Sequence, residues 1–245
     1  MHTDFLRAFT SQAKFYSPAS SQDIEWNGMI ELVEIGRLIL PTGLIVACDP
    51  FSMLYEEDVL PFEIPSKPQQ VNLLDAGSSS SPLQIKEGKY PVTLSVAKIE
   101  AVSSTGPFTH KKNACVMIQF TQAVPVTWVI ALIQGQNAAH LIGSEFFGYG
   151  VDSGVGCFMD LEAARLLYQR IDADENYTAK MMTNRTWENA VLDESSGLNV
   201  MMFMTGMGDG SYASYWGLDD KNNIACLVTD FMILGEPEKI KTIGT

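Results

Sequence analysis

Residues 90–133 contain YPVTLSVAKIE (90–100), ACVMIQF (114–120) and VPVTWVIALI (124–133), three apolar runs rich in β-branched and aromatic side chains. Runs of this length and composition read as strands. Separated by the glycine- and lysine-containing loop STGPFTHKKN (104–113), they predict a meander of antiparallel strands. Upstream, EIGRLIL (34–40), PTG (41–43) and LIVACD (44–49) predict a hairpin, because Pro41 presets φ and Gly43 can take φ > 0. Downstream, LNVMMFMTG (198–206), SYASYWGLD (211–219) and NIACLVTDFMIL (223–234) are strand-like, with GMGDG (206–210) and DDKNN (219–223) as the turns between them.

Helical spacing is confined to three places. Phe5, Ala8 and Phe9 predict a short amphipathic N-terminal helix. In LEAARLLYQRI (161–171), residues Leu161, Ala164, Leu167 or Tyr168, and Ile171 fall on one face, and Asp160 stands where a carboxylate caps the helix. A further helix is expected over Tyr177 to Arg185. Residues 51–89 mix acids and prolines with the run GSSSS (77–81), which predicts a long surface excursion, mobile around the serines. With no fixed-period repeat and no clear linker, the expectation is one globular domain over 1–245. Its class is α+β, a mostly antiparallel β-sheet structure with two or three short helices.

Composition limits the function classes. Apolar residues make up 46% of the chain and charged residues only 18%, so a sizeable core can form. Sixteen basic against 29 acidic residues give a net charge of -13, which repels phosphate backbones and argues against nucleic acid as a partner. Residues 121–245 hold 7 basic and 16 acidic side chains, so most of the excess lies in the second half, where it suits a basic protein partner, a cation or solubility. Cys48, Cys115, Cys157 and Cys226 are widely spaced and form no C-x-x-C, which predicts free, mostly buried thiols in a reducing compartment. The start MHTDFLRAFTSQAKF lacks the pattern of a signal peptide, and the most apolar run is about half the ~20 residues of a membrane span. A soluble, cytoplasmic protein with no membrane partner is expected; oligomeric state is not readable.

Five segments carry a resemblance: LPTGLIVACDP (40–50), KYPVTLSVA (89–97), GYGVDSGVGCFMD (148–160), GDGSYASYWGLD (208–219) and LVTDF (227–231). In this order they resemble the pattern of the bacterial domain of unknown function 4241 family. The resemblance implies a bacterial-type single-domain protein. No activity comes with it, so it marks positions rather than roles.

The chemistry-bearing residues in those segments are Asp49, Asp152, Asp160, Asp209, Asp219 and Asp230. Converging carboxylates suit a hard cation, Mg²⁺ or Ca²⁺, or an acid/base pair. Asp152, Asp209 and Asp230 are the candidate catalytic or metal-ligating set; no other cofactor is expected. Each also has a structural reading: Asp160 as helix cap, Asp152 and Asp209 as turn formers, Asp219 as a solvated turn residue and Asp49 at a strand exit. Asp230 stands out, because a carboxylate in the apolar run LVTDFMIL must be paired, hydrogen-bonded or functional. Asp49 and Asp219 with Tyr212, Tyr215 and Trp216 form a candidate binding set, since ring faces take C–H groups and cations, although ordinary sheet core explains the rings equally.

Other chemistries find little footing. DSGVGCFMD lacks EF-hand spacing, and His2, His110 and His140 are not at zinc-ligand spacing. There is no G-x-S-x-G, no phosphate-binding loop and no dinucleotide fingerprint. Cys157, with His140 or His110, reads as a buried small residue sooner than as a nucleophile. Three function classes stand: an interaction protein that neutralises a basic partner as immunity proteins do, a carboxylate-pocket enzyme or cation binder, and purely structural aspartates.

Overall fold

The computed structural model describes residues 5–17, 26–53, 59–65, 83–103, 106–183 and 186–234. Within them, a long strand β2 (Trp26–Leu40) lies between the short β1 (Lys14–Ser17) and β4 (Gly88–Ser103), and β4 pairs in turn with β5 (Gly106–Gln119). The sheet continues through β13 (Ile224–Asp230) and β12 (Ser214–Leu218) to an edge strand β6 (Thr127–Ile130), making seven antiparallel strands. A second sheet of four antiparallel strands runs β3 (Ile45–Cys48), β8 (Val155–Asp160), β10 (Leu198–Met204), β9 (Trp187–Asp193). A small ribbon pairs β7 (Tyr149–Val151) with β11 (Gly210–Tyr212). The protein is thus α+β with mostly antiparallel sheets.

Period-two alternation sorts each strand's side chains between two faces. Ile118, Val116, Leu94, Trp216, Leu227 and Phe231 of the large sheet meet Phe158, Met201 and Phe203 of the small one, forming the main core. Phe158 and Phe203 pack edge to face at 5.2 Å, and Phe203 reaches Phe231 at 5.8 Å. The alternate residues Val155, Cys157, Met159, Val200 and Met202 point the other way, onto α2 (Leu161–Ala173) and its Ala163, Ala164 and Leu167. On the far side of the large sheet, Cys115, Cys226 and Val228 are covered by Phe5 and Ala8 of α1 (Phe5–Ala8). The order of layers is therefore helix, large sheet, small sheet, helix. Because both faces are covered, every residue of β8 and of β13 is buried, which explains their near-continuous apolar sequences.

The layering corrects four expectations. β2 and β3 do not form a hairpin: the Pro41–Gly43 turn is a corner where the chain leaves one sheet for the other. Gly43 does adopt φ +71°, and a Cβ there would stand 2.2 Å from the Ile85 carbonyl oxygen. Nor do the three runs of 90–133 form a meander, because the β12–β13 hairpin is inserted between β5 and β6. Most of the loop anticipated at 104–113 is strand, with β4 and β5 paired as far as Ser103 and Gly106. SYASYWGLD, read as one strand, splits between β11 and β12, so GMGDG joins β10 to a strand it does not pair with. DDKNN does close the β12–β13 hairpin. β9 carried no reading from sequence.

The helices fall where spacing placed them, and α3 (Tyr177–Met181) occupies part of 177–185. The four cysteines are free, with Cys115, Cys157 and Cys226 buried and Cys48 half-buried. Of the anticipated excursion 51–89, the parts described are anchored: Met53, Val59, Phe62 and Leu83 are buried, and Phe62 bridges to Ile133. The serine run at 77–81 lies outside the described residues. No helix among them is long and apolar enough to cross a membrane.

Candidate functional site

The aspartates share a local geometry that their sequence spacing did not reveal. Asp49, Asp160, Asp174, Asp193, Asp219 and Asp230 each accept a hydrogen bond from the backbone N–H two residues ahead, on Phe51, Glu162, Asn176, Ser195, Lys221 and Met232 respectively. This is the Asx turn, in which a short carboxylate replaces a backbone carbonyl where a strand or helix begins or ends. In this protein it is the main occupation of the carboxylates at element ends.

Two of them also tie distant segments together. Asp49, buried at the exit of β3, accepts from Asp152 N–H at 2.9 Å, Ser153 N–H at 2.7 Å and the Ser153 hydroxyl at 2.8 Å. Its carboxylate therefore fixes the turn between β7 and β8. Asp160 caps α2 through Glu162 N–H while the Thr42 N–H and hydroxyl donate to the same carboxylate, locking the corner at 41–43 against the start of the helix. Asp219 is the hub of its hairpin turn, bonded by Asn223 N–H and side chain, Asn223 foremost among the causes that hold its carboxyl below the usual range.

Asp230 differs. It ends β13 on the helix-covered face of the large sheet, opposite Cys115, whose thiol lies 4.0 Å from Oδ1. Among the described residues its one strong donor is Met232 N–H at 2.8 Å, on a residue held at φ +57°. Burial pushes the Asp230 carboxyl up to about 6. Burial, and then the charge of Asp230, raises the Cys115 thiol and the Tyr215 phenol. Asp230 is thus the aspartate of the set whose environment disfavours ionisation.

Asp152 and Asp209 are both exposed. Their turns are neighbours: Thr205 donates its N–H and hydroxyl to Gly154 O, and also bonds Gly208 O at 2.6 Å. A Cβ placed on Gly154 would be 3.7 Å from Gly208 Cα and 3.9 Å from Asp209 Oδ1. Phe51, whose backbone N–H bonds Asp49, and Met207, which precedes Gly208, are 39% and 44% exposed. The result is a corner built from 49–53, 152–154 and 205–210, tied by the Asp49 carboxylate and by Thr205, and carrying the exposed residues Phe51, Asp152, Met207 and Asp209.

The ring set is divided by the sheets. Tyr212 is in the core with its hydroxyl donating to Gly208 O at 2.7 Å, and Trp216 is in the core with its indole N–H donating to Glu63 O at 3.1 Å. Tyr215 is on the opposite face, its ring tilted at 43° against Phe5 with centroids 5.1 Å apart. Asp152 and Asp209 are brought together, whereas Asp230 belongs with Cys115, Tyr215 and α1. Among the described residues, no group of three or more histidine, cysteine or acidic side chains is placed to hold a metal ion. Phe51 carried no signal in sequence, since an exposed position next to a turn has no pattern of its own; Met207 clusters in sequence with Met201, Met202 and Met204, a pattern that reads as core filler, and whereas Met201 and Met202 are buried, Met207 is exposed.

Two packed antiparallel sheets with carboxylate-pinned turns define an α+β protein of a particular kind. The chain belongs to the DUF4241 family, proteins of unknown function, whose model matches residues 38–229. That span runs from the end of β2 to the end of β13 and contains the Asp49 corner complete. No curated protein and no solved structure matches the chain.

Proposed function

We propose that the protein is a binding module that recognises a basic protein segment at the corner bearing Asp152 and Asp209. The observation that carries this reading is the division of labour among the carboxylates. Asp49, Asp160, Asp174, Asp193, Asp219 and Asp230 accept backbone N–H groups, while Asp152 and Asp209, which flank the paired ends of β7 and β11, are exposed and in no salt bridge among the described residues. Phe51 and Met207, exposed on the segments that meet at this corner, suit the aliphatic stem of a lysine or arginine whose cationic end meets the carboxylates. A net charge of -13 favours rapid encounter with such a partner. The test is an NMR titration with a lysine-rich peptide carrying one aromatic residue. Amide shifts are expected at 152–154 and 207–210, lost in Asp152→Asn/Asp209→Asn and weakened as salt rises; shifts elsewhere, or none, contradict the reading.

Asp230 favours a second reading, a general acid/base with a raised pKa beneath α1, as carboxylate-pocket enzymes use. It requires a substrate to reach the face that Phe5 and Ala8 cover.

A further inference from the structure

We propose that Cys48 and Cys157 form a reversible dithiol/disulfide couple, a redox modification site on the small sheet. The two residues stand directly opposite each other on the antiparallel strands β3 and β8, and their sulfurs are 3.7 Å apart. A disulfide has an S–S length of about 2.05 Å and spans Cα atoms about 4.4–6.8 Å apart, a range that includes the ~4.5–5.5 Å of directly opposed antiparallel residues. The sulfurs therefore need to close by about 1.7 Å in total, a movement that small χ1 rotations supply without moving either strand.

The two thiols have different access. Cys48 is half-buried at the end of an edge strand, whereas Cys157 is fully buried on the central side and packs beneath α2. Cys48 is thus the sulfur an outside reagent meets. With a small-molecule disulfide as oxidant, the Cys48 thiolate attacks one sulfur, forming a mixed disulfide and releasing one small thiol. Cys157 then gives up its proton and attacks the Cys48 sulfur, expelling the second small thiol. Two electrons pass from the cysteines to the reagent, whose two sulfurs leave as thiols with the two protons. Burial raises the Cys157 thiol well above its ordinary value, which makes the second step the slower one. Cys115 and Cys226, both buried in the large sheet, supply internal controls.

The inference does not depend on the binding corner, although Cys48 directly precedes Asp49 and so adjoins it. The folded protein is incubated in glutathione buffers of graded oxidised fraction, quenched, alkylated under denaturing conditions and mapped by mass spectrometry. Expected is a loss of about 2 Da with two of the four thiols protected from alkylation, a linked peptide containing Cys48 and Cys157, and reversal by dithiothreitol. Cys157→Ser should stop at the glutathione adduct on Cys48, and Cys48→Ser should leave Cys157 reduced. Four alkylatable thiols at every poise, a wild-type adduct that never resolves, or a link formed only in denaturant would each overturn the proposal.

Discussion

Asp230 shows how one residue's surroundings translate into a pH dependence. Its carboxyl is raised from 3.8 to about 6 by burial, so the folded state holds a proton that the unfolded chain has released. The stability that this group contributes is then greatest below about pH 4, where the carboxyl is protonated in both states, and falls as pH rises from there through about 6. Above that it stays lower by at most about 3 kcal/mol, the equivalent of about two pKa units. Asp230→Asn keeps an oxygen for Met232 N–H and removes the ionisation. Denaturant unfolding of this variant should therefore show more stability than wild type at pH 8 and little difference near pH 4. A variant that loses stability at pH 8 would mean that the ionised carboxylate has a stabilising partner.

At the scale of elements, the corner between β2 and β3 carries the fold from one sheet to the other. Gly43→Ala puts a methyl against the Ile85 carbonyl and strains a backbone held at φ +71°. It is expected to cost about 2 kcal/mol or more, measured as a lower midpoint in urea unfolding. Strand and helix identity in most of this molecule was readable, because alternation and the Asp160 cap are local signals. Pairing was not. Nothing in EIGRLIL-PTG-LIVACD says that its halves join different sheets; the decision rests on Thr42 meeting Asp160, 118 residues away. Likewise the two-sided burial of β13 reads as an apolar run but does not reveal that it lies in the middle of the sheet, between β5 and β12. The aspartates were legible as a group because they sit in turns, and Asp230 as an exception because it sits in a strand. That Asp152 and Asp209 are neighbours, and that Asp230 lies elsewhere, depends on the ribbon of β7 and β11, which local sequence does not announce.

For the whole molecule, an excess of 13 negative charges is carried by a structure that uses its aspartates in two ways. One set pins turns within and between the layers, and the other lies exposed at one corner. The separation is a stability statement as much as a functional one. Asp49→Ala removes four hydrogen bonds to a buried carboxylate and should cost about 3 kcal/mol. The most direct test compares thermal midpoints of Asp49→Ala, Asp160→Ala and Asp219→Ala with those of Asp152→Ala and Asp209→Ala. The first three are expected to melt well below wild type and the last two within the scatter of surface substitutions. Equal losses at Asp152 and Asp209, or none at Asp49 and Asp160, would contradict the division.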